Sequence, residues 1–362
     1  MSQLYSDVAR LFMVGFPGTS LDPDFAALID EGVGGAILFR RNVTTPGETA
    51  ALNAAIKARA GRPFLLGVDQ EGGRVARLRG APFTPLPPMR EFGATGSADV
   101  VERVGRLLAY ELRALHFDWD FAPVLDVDTN PANPVIGDRA FSRSADEVAR
   151  LGVALARGLE SGGVASCGKH FPGHGDTSQD SHHELPHLPH PLERLRRVEL
   201  VPFAAYAQAG LASLMTAHVV FDAIDPGVPA TMSRKVLQGL LREELGFDGL
   251  LVSDDLEMKA IADHHGVGEA AVRGTLAGID LFLVCHRAEV QREAIEAVVH
   301  AVEDGRVPRA RIEEAHRRLD RVLARFSKGV QDAPILGGPQ HLALAEGLAG
   351  EAAGRDPTEV VV

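Results

Sequence analysis

The stretch "GLLVSDD", residues 249 to 255, is an apolar run that ends in two carboxylates. It reads as a short strand with polar groups left at its carboxyl end. Seven other stretches share this apolar core: LFMVGF (11–16), GGAILF (34–39), PFLLGVD (63–69), DWDFAPVLDV (118–127), VASCGKHF (164–171), ASLMTAHVVF (212–221) and DLFLVC (280–285). Helix-like segments separate them, and that alternation predicts a parallel sheet covered by helices. Two of those helices carry start signals. Thr45, Pro46 and Glu48 predict a capping box with proline at the first helical position, and Ser144 with Glu147 predicts a second box. Eight strand and helix units in one chain favour an α/β fold closed as a single (β/α)8 barrel over an open doubly wound sheet. GFPGTS (15–20), after the first strand, lacks the G-x-G-x-x-G of a dinucleotide-binding fold. Two more helices, 288–303 and about 308–327, follow the eighth strand. Residues 1–330 are expected to form the barrel, and 331–362 a short, partly mobile extension without a domain of its own.

Composition narrows the function. The chain is 45% hydrophobic and 24% charged, and no apolar run approaches the roughly 20 residues of a membrane span. A net charge of -12 argues against nucleic acid as the main ligand. Cys167 and Cys285 sit inside apolar segments, which fits buried thiols better than a disulfide. The amino terminus has no basic cluster ahead of its short apolar patch, so the expected location is the cytoplasm. The expected oligomeric state is a monomer.

In a barrel of this kind the active site lies at the carboxyl ends of the strands. Polar residues gather there: Asp69 after the third strand, Asp126 and Asp128 after the fourth, Lys169 and His170 after the fifth, His218 after the sixth, Asp254 and Asp255 after the seventh. Charged groups at the same rim of five strands point to a site rather than to isolated structural pairs. The segment KHFPGHGDTSQDSHHELPHLPH (169–190) holds six histidines, His170 among them. It offers no H-E-x-x-H helix of the kind that holds a metal, although Lys169, His170, His218 and Asp254 would fit a metal-dependent barrel hydrolase loosely. Proton transfer suits it better: in Asp180-Ser181-His182 a carboxylate can fold back onto the ring N–H, which would let His182 act as general acid and then base. No metal or other cofactor is expected. A non-catalytic binding barrel would have no use for Asp254 or for the Asp180–His182 pair.

Together, KHFPGHGDT followed by DSHHELP, GVDQEGGRVARL (67–78), NPVIGDRAFS (133–142) and LLVSDDLEM (250–258) resemble the glycoside hydrolase family 3 β-N-acetylglucosaminidases of bacterial cell-wall recycling. The resemblance runs from about residue 10 to 330, and the chain length suits the subgroup without the second α/β domain that many family 3 β-glucosidases carry. It implies a retaining double displacement with Asp254 as nucleophile, His182 as proton donor and acceptor, and Asp180 orienting His182. Sugar-binding positions carry over to Asp69, Arg77, Arg139, Lys169 and His170, and the implied partner is a small carbohydrate or muropeptide. A neutral histidine repels an anion less than a carboxylate would, so an N-acetylglucosaminide phosphorylase is an alternative, as is a β-glucosidase of the same family. Each residue also has a structural reading. Asp254 would make a good helix cap, and Arg139 could pair with Asp138 or Asp126. Asp126 and Asp128 could simply hold the rim. His174, His183, His187 and His190 read as loop or surface residues, and Gly72 and Gly73 as turn formers.

Overall fold

A computed structural model describes residues 2–178, 185–329 and 336–352 of the protein, without the side chains of 349–352. Eight parallel strands close on themselves: β1 (Phe12–Val14), β2 (Gly35–Leu38), β3 (Leu65–Val68), β4 (Trp119–Asp120), β5 (Ala165–Phe171), β6 (Ser213–Thr216), β7 (Leu250–Asp255) and β8 (Leu281–Val284). Each pairs with its neighbour in sequence, and β1 pairs with β8 to close the ring. This is the (β/α)8 barrel that the alternation predicts, and it rules out the open sheet.

Two of the strands depart most from the runs expected to form them. Within DWDFAPVLDV the ladder covers Trp119 and Asp120 alone, with one further bridge from Val124 to Lys169. Pro123 has no N–H to give, so regular pairing cannot run through it. ASLMTAHVVF divides into β6 and a separate two-residue ladder in which Val220 and Phe221 pair with His187 and Leu188.

The barrel interior is filled by apolar side chains that include Met13, Leu65, Trp119, Phe121 and Leu281. Leu319, Val322, Leu323 and Phe326 of the helix Arg309–Phe326 join the same cluster and plug one end. A larger apolar layer lies between the strands and the outer helices. Thr45 and Glu48 form the expected capping box at the start of the helix Pro46–Ala60. Ser144 caps the helix Ala145–Ser161 by position only, because its side chain makes no cap hydrogen bond and Glu147 pairs instead with Arg150 at 2.6 Å.

The described residues beyond 335 form a further element. Pro339–Ala352 is a helix, and Leu348 and Ala345 on it are buried against the barrel's outer layer. The His341 ring meets Tyr110 edge-on at 4.9 Å.

Candidate active site

The chain leaves β3 at Asp69 and turns at once into a small antiparallel hairpin, Gln70–Gly72 with Val75–Ala76. Gly72 and Gly73 make the turn with φ of +102° and +54°, a region that side chains disfavour, so these glycines do serve turn geometry. Gln70 locks the hairpin: its side-chain oxygen accepts the N–H groups of Arg77 (2.9 Å) and Leu78 (3.0 Å). The hairpin thereby holds Glu71 and Arg77 over the barrel mouth beside Asp69.

These side chains line a cavity of about 510 Å³ that also takes in Arg139, Lys169, His170 and Asp254. Six residues read from the sequence as site candidates, Asp69, Arg77, Arg139, Lys169, His170 and Asp254, thus share one wall-to-wall space. Asp180 and His182 lie outside the described residues.

Charge pairing organises the cavity. Lys169 Nζ donates to Asp69 Oδ1 at 2.8 Å and lies 2.6 Å from Glu71 Oε1. Arg139 grips the same Glu71 with two parallel bonds, Nε to Oε2 at 2.9 Å and Nη2 to Oε1 at 2.8 Å. Arg77 donates to the second oxygen of Asp69 at 3.2 Å. Arg139 therefore pairs neither with Asp138, which binds Arg74, nor with Asp126. Burial alone would push Glu71 up, but the charges of Arg139 and Lys169 outweigh it and hold the carboxyl below the ordinary range. Burial would likewise lower Lys169, yet Asp69 and Glu71 hold it above its ordinary value.

Asp126 does more than brace the rim. Its Oδ2 lies 2.7 Å from His170 Nδ1, and its oxygens accept the backbone N–H of His170 and, at 2.6 Å, that of His174. Burial would raise this carboxyl, but His170 and then His174 hold it below the ordinary range. The ionised carboxylate makes Nδ1 of His170 the donor and leaves Nε2 for a ligand. His174 is also not a surface residue: it is 2% exposed, lines the cavity and bonds Thr177 through Nδ1 at 2.7 Å. Burial lowers it to about 4. Its loop is pressed against the segment that follows β4, where a Cβ on Gly175 would lie 1.8 Å from the Val127 carbonyl oxygen. His190 pairs with Asp176, and His187 stays exposed. Asp128 behaves as a rim brace, bound by Arg90 at 2.6 Å.

The two aspartates of β7 have different surroundings. Asp255 accepts the N–H groups of Cys285 (3.2 Å) and Glu257 (3.1 Å) and pairs with His286 at 3.1 Å. Asp254 is partly exposed at the cavity, and its Oδ1 accepts the N–H of Asp255 at 2.8 Å. His218 does not line the cavity: its ring nitrogens are 2.8 Å from Thr231 Oγ1 and 3.0 Å from the Asp255 carbonyl oxygen. Both are spoken for within the protein, which removes it from the set considered for a metal. Among the described residues, no group of three or more His, Cys, Asp or Glu side chains is arranged to hold one. Sequence reasoning missed Glu71 and the link from Asp126 to His170. Glu71 sits within a quoted motif, but its partners come from residues 68 and 98 positions away.

Comparison with known proteins agrees with this architecture. Residues 4–322 match the glycosyl hydrolase family 3 N-terminal domain. A β-hexosaminidase of Thiobacillus denitrificans is 45% identical over 290 residues, which cover 78% of this chain and 80% of the relative. The glycoside hydrolase family 3 β-N-acetylglucosaminidase of Paenibacillus sp. superposes with a TM-score of 0.93 at 42% identity, over 97% of this chain and 69% of that one. NagZ from Neisseria gonorrhoeae, solved with N-trifluoroacetyl-D-glucosamine and separately with a zinc ion, has a TM-score of 0.78 at 35% identity. In the sugar complex the match covers 94% of this chain and 98% of that one. The barrel, its rim cavity and these similarities agree, and the chain belongs to glycosyl hydrolase family 3.

Proposed function

We propose that the protein is a retaining, exo-acting β-N-acetylglucosaminidase that removes terminal β-linked N-acetylglucosamine from peptidoglycan-derived muramyl or anhydromuramyl fragments. The observation that carries this reading is the presentation of Asp254 to the same cavity as the paired donors Lys169, Arg139 and Arg77. In this reading the Asp254 carboxylate attacks the anomeric carbon as the leaving oxygen takes a proton from His182, which Asp180 orients. A glycosyl-aspartate ester forms, and water, deprotonated by His182, releases the sugar. Asp69, Arg77, Arg139, Lys169 and His170 bind sugar hydroxyls. Support for the two residues outside the described range comes from the D-S-H motif alone. The cavity volume falls in the usual span of small-ligand sites, about 300–1,000 Å³, as a single terminal sugar with part of its aglycone requires.

Relatives named β-hexosaminidase favour water as acceptor over phosphate. No helix among the described residues is long and apolar enough to cross a membrane, and we place the reaction in the cytoplasm. Residues 1–330 act as the catalytic barrel, with 331–362 an extension of the same unit.

The test is hydrolysis of nitrophenyl N-acetyl-β-glucosaminide, with and without chelator and with and without phosphate. Turnover that ignores chelator, gives no sugar phosphate and disappears in Asp254→Asn supports the reading. Loss with chelator would favour the metal-dependent hydrolase, and an anomeric phosphate product the phosphorylase. A preference for nitrophenyl β-glucoside would favour the β-glucosidase.

A further inference from the structure

The proposed chemistry gives no task to Glu71, a charged group of the cavity. Glu71 is 1% exposed, lines the cavity and is neither nucleophile nor proton donor. Its neighbours show what it does. A buried lysine beside a buried arginine is by itself a good receptor for an oxyanion, offering a point charge and a planar fork of donors. Here that receptor is already filled from within the chain. Both oxygens of Glu71 are engaged, one at 2.6 Å from Lys169 Nζ and 2.8 Å from Arg139 Nη2, the other at 2.9 Å from Arg139 Nε. Lys169 has Asp69 as a second counter-ion, whereas the other contact of Arg139 is the Val135 carbonyl oxygen at 3.3 Å. Lys169 has three N–H groups and Arg139 five, so donors remain on both after Glu71 and Asp69 are served. Those donors are held in fixed directions and their charge is compensated.

We propose that Glu71 is a positioning and selectivity residue: sharing its carboxylate between Lys169 and Arg139, it aims their remaining N–H groups at uncharged sugar hydroxyls and prevents the cavity from capturing small oxyanions. The identity of the uncharged ligand rests on the glycosidase reading, and the exclusion of oxyanions does not. Removing the carboxylate leaves Arg139 buried without a counter-ion, so the variant cavity should recruit one from solution.

Thermal unfolding of wild type, Glu71→Gln and Glu71→Gln/Arg139→Met is compared in millimolar sodium sulfate and in sodium chloride of equal ionic strength. Sulfate is used because it cannot act as the acceptor in phosphorolysis. A ligand that binds only the folded state raises Tm in proportion to its occupancy, so sulfate should raise Tm for Glu71→Gln and leave the other two unchanged. N-acetylglucosamine affinity, measured by calorimetry, should weaken in Glu71→Gln by on the order of tenfold, the value of one well-placed charged hydrogen bond. Equal sulfate shifts in wild type and Glu71→Gln, or none in either, overturn the proposal. Should Glu71→Gln yield no folded protein, Glu71→Asp carries the test, since it keeps the charge and withdraws it by one methylene. Weaker sugar binding without a sulfate shift is then expected, and unchanged sugar binding or a sulfate shift overturns the proposal. Absence of hydrolysis by wild type would sink the glycosidase reading and leave the sulfate comparison intact.

Discussion

Oδ2 of Asp126 lies 2.7 Å from Nδ1 of His170, and the same carboxylate accepts the backbone N–H of that histidine. One buried acid thus sets both the backbone and the ring of a cavity residue. Asp126→Asn keeps the shape and loses the charge. At neutral pH it should cost about 1.5–3 kcal/mol of stability, the usual worth of hydrogen bonds to a charged group. The sign with pH follows from the lowered carboxyl. Its contribution is complete above the ordinary aspartate value of about 3.9 and is lost as pH falls through the lower folded value. Urea unfolding should therefore show a gap between wild type and variant at pH 7 that narrows below about pH 4.

His174 acts in the same direction with pH, over a higher range. Burial lowers it to about 4 in the folded state, so the unfolded chain, titrating near 6.5, takes up its proton first. Stability should fall as pH drops from about 6.5 towards 4, by up to ~3 kcal/mol from this group. His174→Gln should flatten that slope in a series of urea midpoints against pH. An unchanged slope would mean that the histidine's burial has no such effect.

The two β7 aspartates should separate under mutation. Asp254→Asn should melt within about 1 kcal/mol of wild type, because its carboxylate is partly exposed. It should lose at least roughly a thousandfold in kcat if it is the nucleophile. Asp255→Asn, deprived of a charged acceptor for Cys285, Glu257 and His286, should lose about 1–3 kcal/mol of stability. Calorimetry beside a nitrophenyl assay reads both. The reverse pattern would place the nucleophile at Asp255.

Two helix caps that look alike in sequence should respond differently. Thr45→Ala removes an observed capping box and should cost about 1 kcal/mol. Ser144→Ala removes no cap hydrogen bond and should stay within about 0.5 kcal/mol of wild type in chemical denaturation.

The contrast between these caps shows what could be read in advance. Local patterns carried well: all eight apolar runs contain a barrel strand, and Asp69, Lys169, His170, Asp254 and Asp255 at their ends share one cavity, because strand spacing and barrel closure leave side chains little choice. Competition between partners did not carry. Glu147 had Arg150 one turn away, and nothing in the S-x-x-E spelling says which it will take. Glu71 and Asp126 were hard to assign for the same reason, since their partners lie 44 to 98 positions off and meet them only after the barrel has closed. Pro123 could have warned that the fourth strand would be short. The helix Pro339–Ala352 was hidden by its alanine and glycine content, which is mild in hydrophobicity and gives no clear face.

The pairing of β1 with β8 has a consequence for how the protein is made. Phe12 is in register with Phe282, and Val14 with Val284, so partners about 270 residues apart must meet to close the ring. While the chain is being synthesised, the first strand leaves the ribosome long before its mate exists and carries an unpaired edge that other chains could join. The plug from Arg309–Phe326 arrives later still. Newborn chains should therefore depend on a chaperone's shelter until almost the last helix is out, and fragments ending before residue 281 should accumulate as aggregates rather than as partial barrels.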